Sequence, residues 1–113
     1  MKQLAPSILS ADFICLGEQL KQLQKLCIHY LHIDVMDGMF VPSISFGMPV
    51  IASLRKHTDM FFDVHLMIEE PIRYVNALRQ AGADGLTVHA EACADLPGTI
   101  AAIRESGATP AVC

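Results

Sequence analysis

The sequence predicts an α/β fold, about the first half of an eight-fold parallel strand–helix barrel: four βα units and the start of a fifth strand. Three observations carry this. Short apolar runs alternate with longer amphipathic ones along all 113 residues. A weak repeat, Ala81-Gly82-Ala83 and then Ser106-Gly107-Ala108, twice ends a helix and leads into a strand. The strands also have two unlike faces: Leu31, Ile33 and Val35 oppose Tyr30, His32, Asp34 and Met36, and Phe62, Val64, Leu66 and Ile68 oppose Phe61, Asp63, His65 and Met67. An open sheet wound on both sides is apolar on both faces, so the ionisable face favours a barrel with a functional interior mouth. A complete barrel takes about 250 residues. Residues 1–113 are therefore expected to be the N-terminal half of a single barrel domain.

The elements follow in order. Leu4 to Leu9 reads as a strand. Phe13, Leu16, Leu20, Leu23 and Cys27 then share one helical face, with Glu18, Lys21, Gln22 and Lys25 opposite. Tyr30 to Met36 is the second strand, followed by a Gly-, Pro- and Ser-rich loop from Asp37 to Gly47. Pro49 suits the first turn of a helix running to about His57, and Phe61 to Ile68 is the third strand. Pro71 opens the next helix and Gly82 closes it, with Ile72, Val75 and Leu78 as its buried side. Gly85 to His89 is the fourth strand, Pro97 to Gly107 the next helix, and Thr109 to Cys113 begins the fifth strand.

Composition narrows the function. With 8 Lys+Arg against 12 Asp+Glu, 52% hydrophobic residues and no Trp, the chain is too apolar for disorder and has no basic, aromatic-laced patch for nucleic acid. No run of eighteen apolar residues predicts a membrane span, and Met1-Lys2-Gln3-Leu4 is no signal peptide. Cys15, Cys27, Cys93 and Cys113 form no C-x-x-C pair and read as reduced structural thiols of a cytoplasmic protein, the first two buried within a helical pattern. No Gly-x-Gly-x-x-Gly fingerprint follows a strand, so no dinucleotide site is expected.

The chemistry concentrates on the polar strand face. His32 and Asp34 project from the same side of one strand, and His65 from the corresponding side of the next, about 4.8 Å away. Two imidazoles and a carboxylate suit one divalent cation, Zn, Fe(II), Mn or Co, with a position left for substrate. The alternative is a pair of hydrogen-bonded interior histidines. Asp34, inside an apolar strand, is also a candidate for removing a proton beside a substrate carbonyl. Asp37 precedes Gly38 as an ordinary turn pair. Ser7 either bonds a substrate hydroxyl or satisfies backbone; Met36 and Met67 either line a sugar cavity or fill the barrel. His89 and Glu91 share a face without being assigned as ligands, and His29 and His57 fall at surface positions.

Longer motifs add to this. Ala5-Pro6-Ser7-Ile8-Leu9-Ser10-Ala11-Asp12-Phe13, Leu31 to Gly38 continuing through Phe40-Val41-Pro42 to Phe46-Gly47, Phe62 to Met67, and Gly82-Ala83-Asp84 together resemble the ribulose-phosphate 3-epimerase family. The resemblance implies a TIM (β/α)8 barrel that interconverts ribulose 5-phosphate and xylulose 5-phosphate in the pentose phosphate pathway. It implies a divalent metal on two histidines and two aspartates, with His32, Asp34 and His65 matching three of the four. It implies Asp34 as one acid/base, Ser7 and His65 as substrate contacts, and Met36 and Met67 as pocket lining. The expected partners are a small sugar phosphate and further copies of the chain as a homo-oligomer, with no nucleic acid and no membrane. The family's second catalytic aspartate and its phosphate-gripping loops lie in the later half of the barrel, so this chain alone is expected to be inactive. The competing readings are an allulose 6-phosphate 3-epimerase, with the same ligands and another pocket, and a non-catalytic half-barrel that self-associates through its open edges.

Overall fold

A computed structural model describes residues 1–113. Four strands, β1 (Tyr30–Met36), β2 (Phe61–Met67), β3 (Gly85–Val88) and β4 (Thr109–Val112), form one parallel sheet in the order β1-β2-β3-β4. Four helices alternate with them: α1 (Leu16–Lys25), α2 (Met48–Arg55), α3 (Val75–Ala81) and α4 (Leu96–Glu105). Sequential parallel strands joined by helices are the arrangement of the first half of a TIM barrel.

The two faces of the sheet separate as the alternation predicts. Leu31, Ile33, Phe62, Val64, Leu66, Leu86 and Val88 are fully buried, and Ile51, Leu78 and Ile103 pack on them from α2, α3 and α4. His32, Asp34, Met36, Asp63, His65 and Met67 line the other face and are only half-buried. The helices begin as their sequences dictate. Pro49 occupies the first turn of α2, and the Asp95 carboxylate accepts the Gly98 N–H at the start of α4.

Three helices end on the same device. The residue after the last turn takes positive φ, +56° at Cys27, +125° at Gly82 and +89° at Gly107. The next N–H then reaches back five residues, from Ile28 to Leu23 O, Ala83 to Leu78 O and Ala108 to Ile103 O, at 3.1, 3.1 and 3.3 Å. The Gly repeat in the sequence is the signature of two of these caps.

Four expectations need correction. Leu4 to Leu9 is not a strand: Ser7 makes a single parallel bridge to His32, and Ile8–Ser10 is a 3-10 turn. Pro6 has no N–H for a ladder, and the Ser7 hydroxyl accepts the Leu9 N–H at 3.1 Å, which turns the chain. The first helix runs from Leu16 to Lys25 rather than from Phe13 to Cys27, leaving Phe13, Cys15 and Cys27 exposed. Asp12 caps a separate 3-10 turn at Phe13–Cys15, and Cys27 is already past the helix cap. Pro71–Tyr74 is likewise a 3-10 turn ahead of α3, and its different pitch rotates Ile72 out to solvent. His89 lies just past β3 instead of within it.

Candidate metal centre

Parallel pairing of β1 with β2 sets the site. Its register places Asp34 opposite His65, His32 opposite Asp63 and Met36 opposite Met67, all on the polar face. The Ser7 bridge adds a further side chain, since the His32 N–H donates to Pro6 O at 2.9 Å. Beyond β1 the loop is tied back. Ser45 Oγ donates to Asp34 O at 2.7 Å and accepts the Met36 N–H at 2.9 Å. Asp37 takes N–H groups from Met39 and Phe40 on one oxygen and from Glu69 on the other, pinning the turn at Gly38 (φ +74°) to the end of β2. Burial raises the Asp37 carboxyl, but these backbone donors together outweigh it and hold it below its ordinary value. Asp37 is a turn-holding residue, as its Asp-Gly context predicts.

Asp34 is the hub of the polar face. One carboxylate oxygen lies 3.1 Å from His32 Nε2 and 3.4 Å from His65 Nδ1, and the other accepts the Ser7 hydroxyl. The Asp34 side chain is only 13% exposed, against about a quarter for each imidazole. Burial, followed by the nearby His89, lowers the His65 pKa from its ordinary value, and the opposing pull of Asp34 does not cancel this. A neutral His65 keeps a lone pair for an ion. Donors from His32, Asp34 and His65 lie within 4.8 Å of one another, and two imidazoles with one carboxylate fit a first-row divalent cation. Ser7 satisfies backbone, accepting the Leu9 N–H, while its own proton goes to Asp34.

This arrangement has known relatives. The profile described as "Ribulose-phosphate 3 epimerase family" matches residues 3–113. The chain belongs to the ribulose-phosphate 3-epimerase family. It is 54% identical over 107 residues to the ribulose-phosphate 3-epimerase of Bacillus subtilis (strain 168), covering 95% of this chain and 49% of that protein. The enzyme of Rhodobacter capsulatus is 47% identical over 105 residues (93% and 46%), and the cytoplasmic isoform of Oryza sativa subsp. japonica is 44% identical over 111 residues (97% and 49%). The chain spans about half the length of these curated relatives. No helix is long and apolar enough to cross a membrane.

Within this family member one group, Asp63, escaped the sequence reading as a partner of the donors, and a second, His89, was named on the polar face without being assigned as a ligand. Asp63, the register partner of His32, accepts from His32 Nδ1 at 2.9 Å, which directs Nε2 at Asp34. A carboxylate on the far nitrogen of a candidate ligand fixes its ring and raises its basicity. The signal was available, since Asp63 sits two residues before His65 on the same face. His89 stacks on His65 with ring centroids 5.0 Å apart and Nε2 atoms 2.8 Å apart. Phe40, from the loop after β1, lies 4.9 Å from the His89 ring. Met36 and Met67 sit side by side toward the C-terminal ends of their strands.

Proposed function

We propose that residues 1–113 are the N-terminal half of one barrel domain and carry half the active site of a metal-dependent epimerase. It inverts carbon 3 of ribulose 5-phosphate to give xylulose 5-phosphate, in the cytoplasm and within the pentose phosphate pathway. The observation that supports this most is the placing of Asp34 between His32 and His65, in a chain of this family. His32, Asp34 and His65 would hold one Zn, Fe(II), Mn or Co ion. When bound, that ion supplies positive charge beside the developing enediolate oxygens.

The protein's own groups account for the rest. The Asp34 carboxylate takes the proton from carbon 3 on one face of the sugar. The Ser7 hydroxyl, donating to the remaining Asp34 oxygen, holds that carboxylate in place and faces a substrate hydroxyl. Asp63 keeps His32 oriented. Met36 and Met67 give the pocket an apolar, adaptable wall. Inversion needs a second acid to return the proton on the opposite face. The family resemblance puts that acid, with the phosphate-binding loops, in the later half of the barrel. The relatives' doubled length supports reading residues 1–113 as lacking that half of the site; the assembled protein is read as a homo-oligomer.

The test is wash-in of solvent deuterium at carbon 3 of ribulose 5-phosphate, followed by NMR. A parent carrying residues 1–113 within a full-length barrel exchanges at enzymatic rates, and Asp34→Asn slows it by about 10²–10⁴-fold. Undiminished exchange in Asp34→Asn, or ordinary turnover by the 113-residue chain alone, overturns the reading.

A further inference from the structure

A second group of donors lies on the far side of His65. We propose that His65 Nε2, His89 Nε2 and Cys113 Sγ form a second metal site, selective for a thiophilic cation such as Zn2+ or Cu+. The three residues offer donors within 4.8 Å of one another. Cys113 Sγ lies 3.7 Å from His65 Nε2 and 3.5 Å from His89 Nε2. Zn–S bonds of about 2.3 Å and Zn–N bonds of about 2.0–2.1 Å give tetrahedral N–S edges of about 3.6 Å and an N–N edge of about 3.3 Å. Both N–S separations are of the right length, but Sγ also lies 3.5 Å from His89 Nδ1, over the face of the ring, so the His89 imidazole turns edge-on to aim its Nε2 lone pair at the shared ion. The two nitrogens, 2.8 Å apart and now sharing a proton, open by about half an ångström to admit the ion.

The thiol is fixed by backbone. Cys113 N–H donates to Val88 O at 3.0 Å, and Cys113 O accepts the Ala90 N–H at 3.2 Å, so the residue extends the β3–β4 ladder. Each ring also has a carboxylate toward its other nitrogen: Asp34 lies 3.4 Å from His65 Nδ1 and Glu91 lies 3.6 Å from His89 Nδ1. The proton balance closes. The Cys113 thiol loses its proton to solvent as the S–metal bond forms. The proton between the two Nε2 atoms moves to the Nδ1 of the ring that carried it, so both rings stay neutral.

The ligand chemistry separates this site from the first. A carboxylate and two imidazoles accept hard and borderline ions, whereas a thiolate selects soft ones. The two sites share one ring through opposite nitrogens. A neutral imidazole has one lone pair, so an ion on His65 Nε2 leaves N–H at Nδ1 and removes it from the Asp34 group. A thiophilic cation therefore antagonises the cation at His32 and Asp34. This last step alone rests on the function proposed above; the thiolate site does not.

Cobalt(II) distinguishes the two, because only a thiolate-bound ion shows an intense near-ultraviolet sulfur-to-metal charge-transfer band. Titration of the full chain with cobalt gives this band at one ion per chain, and zinc bleaches it. Cys113→Ser and His89→Ala each abolish the band or weaken binding at least tenfold, with circular dichroism unchanged, while His32→Ala keeps it. Equimolar zinc raises the apparent Kd for Mn2+, read by water-proton relaxation, at least tenfold in the native chain but not in Cys113→Ser. No charge-transfer band in the folded native chain, or a band that survives in Cys113→Ser, overturns the site. Loss of manganese binding in the native chain with the cobalt band intact overturns the first centre and leaves the second standing.

Discussion

The Arg55 guanidinium carbon lies over the Phe62 ring, 3.8 Å from its centroid, near the N-terminal end of β2. Phe62 is fully buried, so this stack closes the bottom of the core. Arg55 also donates to Gly82 O, Thr58 O and Met60 O, and to Asp84, whose carboxylate accepts the Phe62 N–H as well. One side chain thus binds the end of α2 to the loops entering β2 and β3.

Arg55→Lys keeps the charge but loses the planar fork and the stack, leaving carbonyls unpartnered. The expected loss is about 1–3 kcal/mol in urea unfolding, with no change in metal binding. A variant as stable as the native chain would show the stack to be incidental.

The three positive-φ helix ends give opposite predictions for two substitutions. At Gly82 an added Cβ would lie 2.5 Å from Arg55 Cδ, besides straining a φ of +125°. Gly82→Ala is expected to cost more than about 1–2 kcal/mol. Cys27 is exposed and holds φ +56° with a side chain, so Cys27→Gly should stabilise by about 0.5–1 kcal/mol. Thermal unfolding of the two variants moves the midpoint in opposite directions.

His65 contributes one part of the pH dependence of the metal-free protein, just below its unfolded pKa. Its folded pKa is lowered by burial and then by His89, so the unfolded chain binds its proton more readily. Stability therefore rises with pH between the folded value and the unfolded value of about 6.5, and falls as acid protonates the ring below it. NMR titration should place the His65 midpoint below that of an unfolded control. His65→Gln should flatten the stability profile across the same interval.

Much of the molecule is legible in the residues because the signals are local. Alternation at period two assigned Leu31, Ile33, Val35, Phe62, Val64 and Leu66 to the core and left His32, Asp34 and His65 together on the other face. Pro49 and the glycines at 82 and 107 marked helix ends through their own backbone constraints. The same logic missed the end of the first helix, where a cysteine takes a conformation usually left to glycine. It also misread Leu4 to Leu9, whose apolar pattern suits a strand but whose Pro6 and Ser7 turn the chain.

The sequence by itself determined the strand–helix order, the split between faces and the face on which 32, 34 and 65 each lie, because these depend on neighbours a few residues apart. Tertiary structure alone decided which side chains meet across strands. Asp63 reaches His32 through a register of one strand against the next, and Arg55 reaches Asp84 over 29 residues. His89, just past β3, and Cys113, paired to Val88 across the β3–β4 ladder, meet at the outer nitrogen of His65. Those distances are fixed by inter-strand hydrogen bonding and helix packing, which no local run of residues encodes.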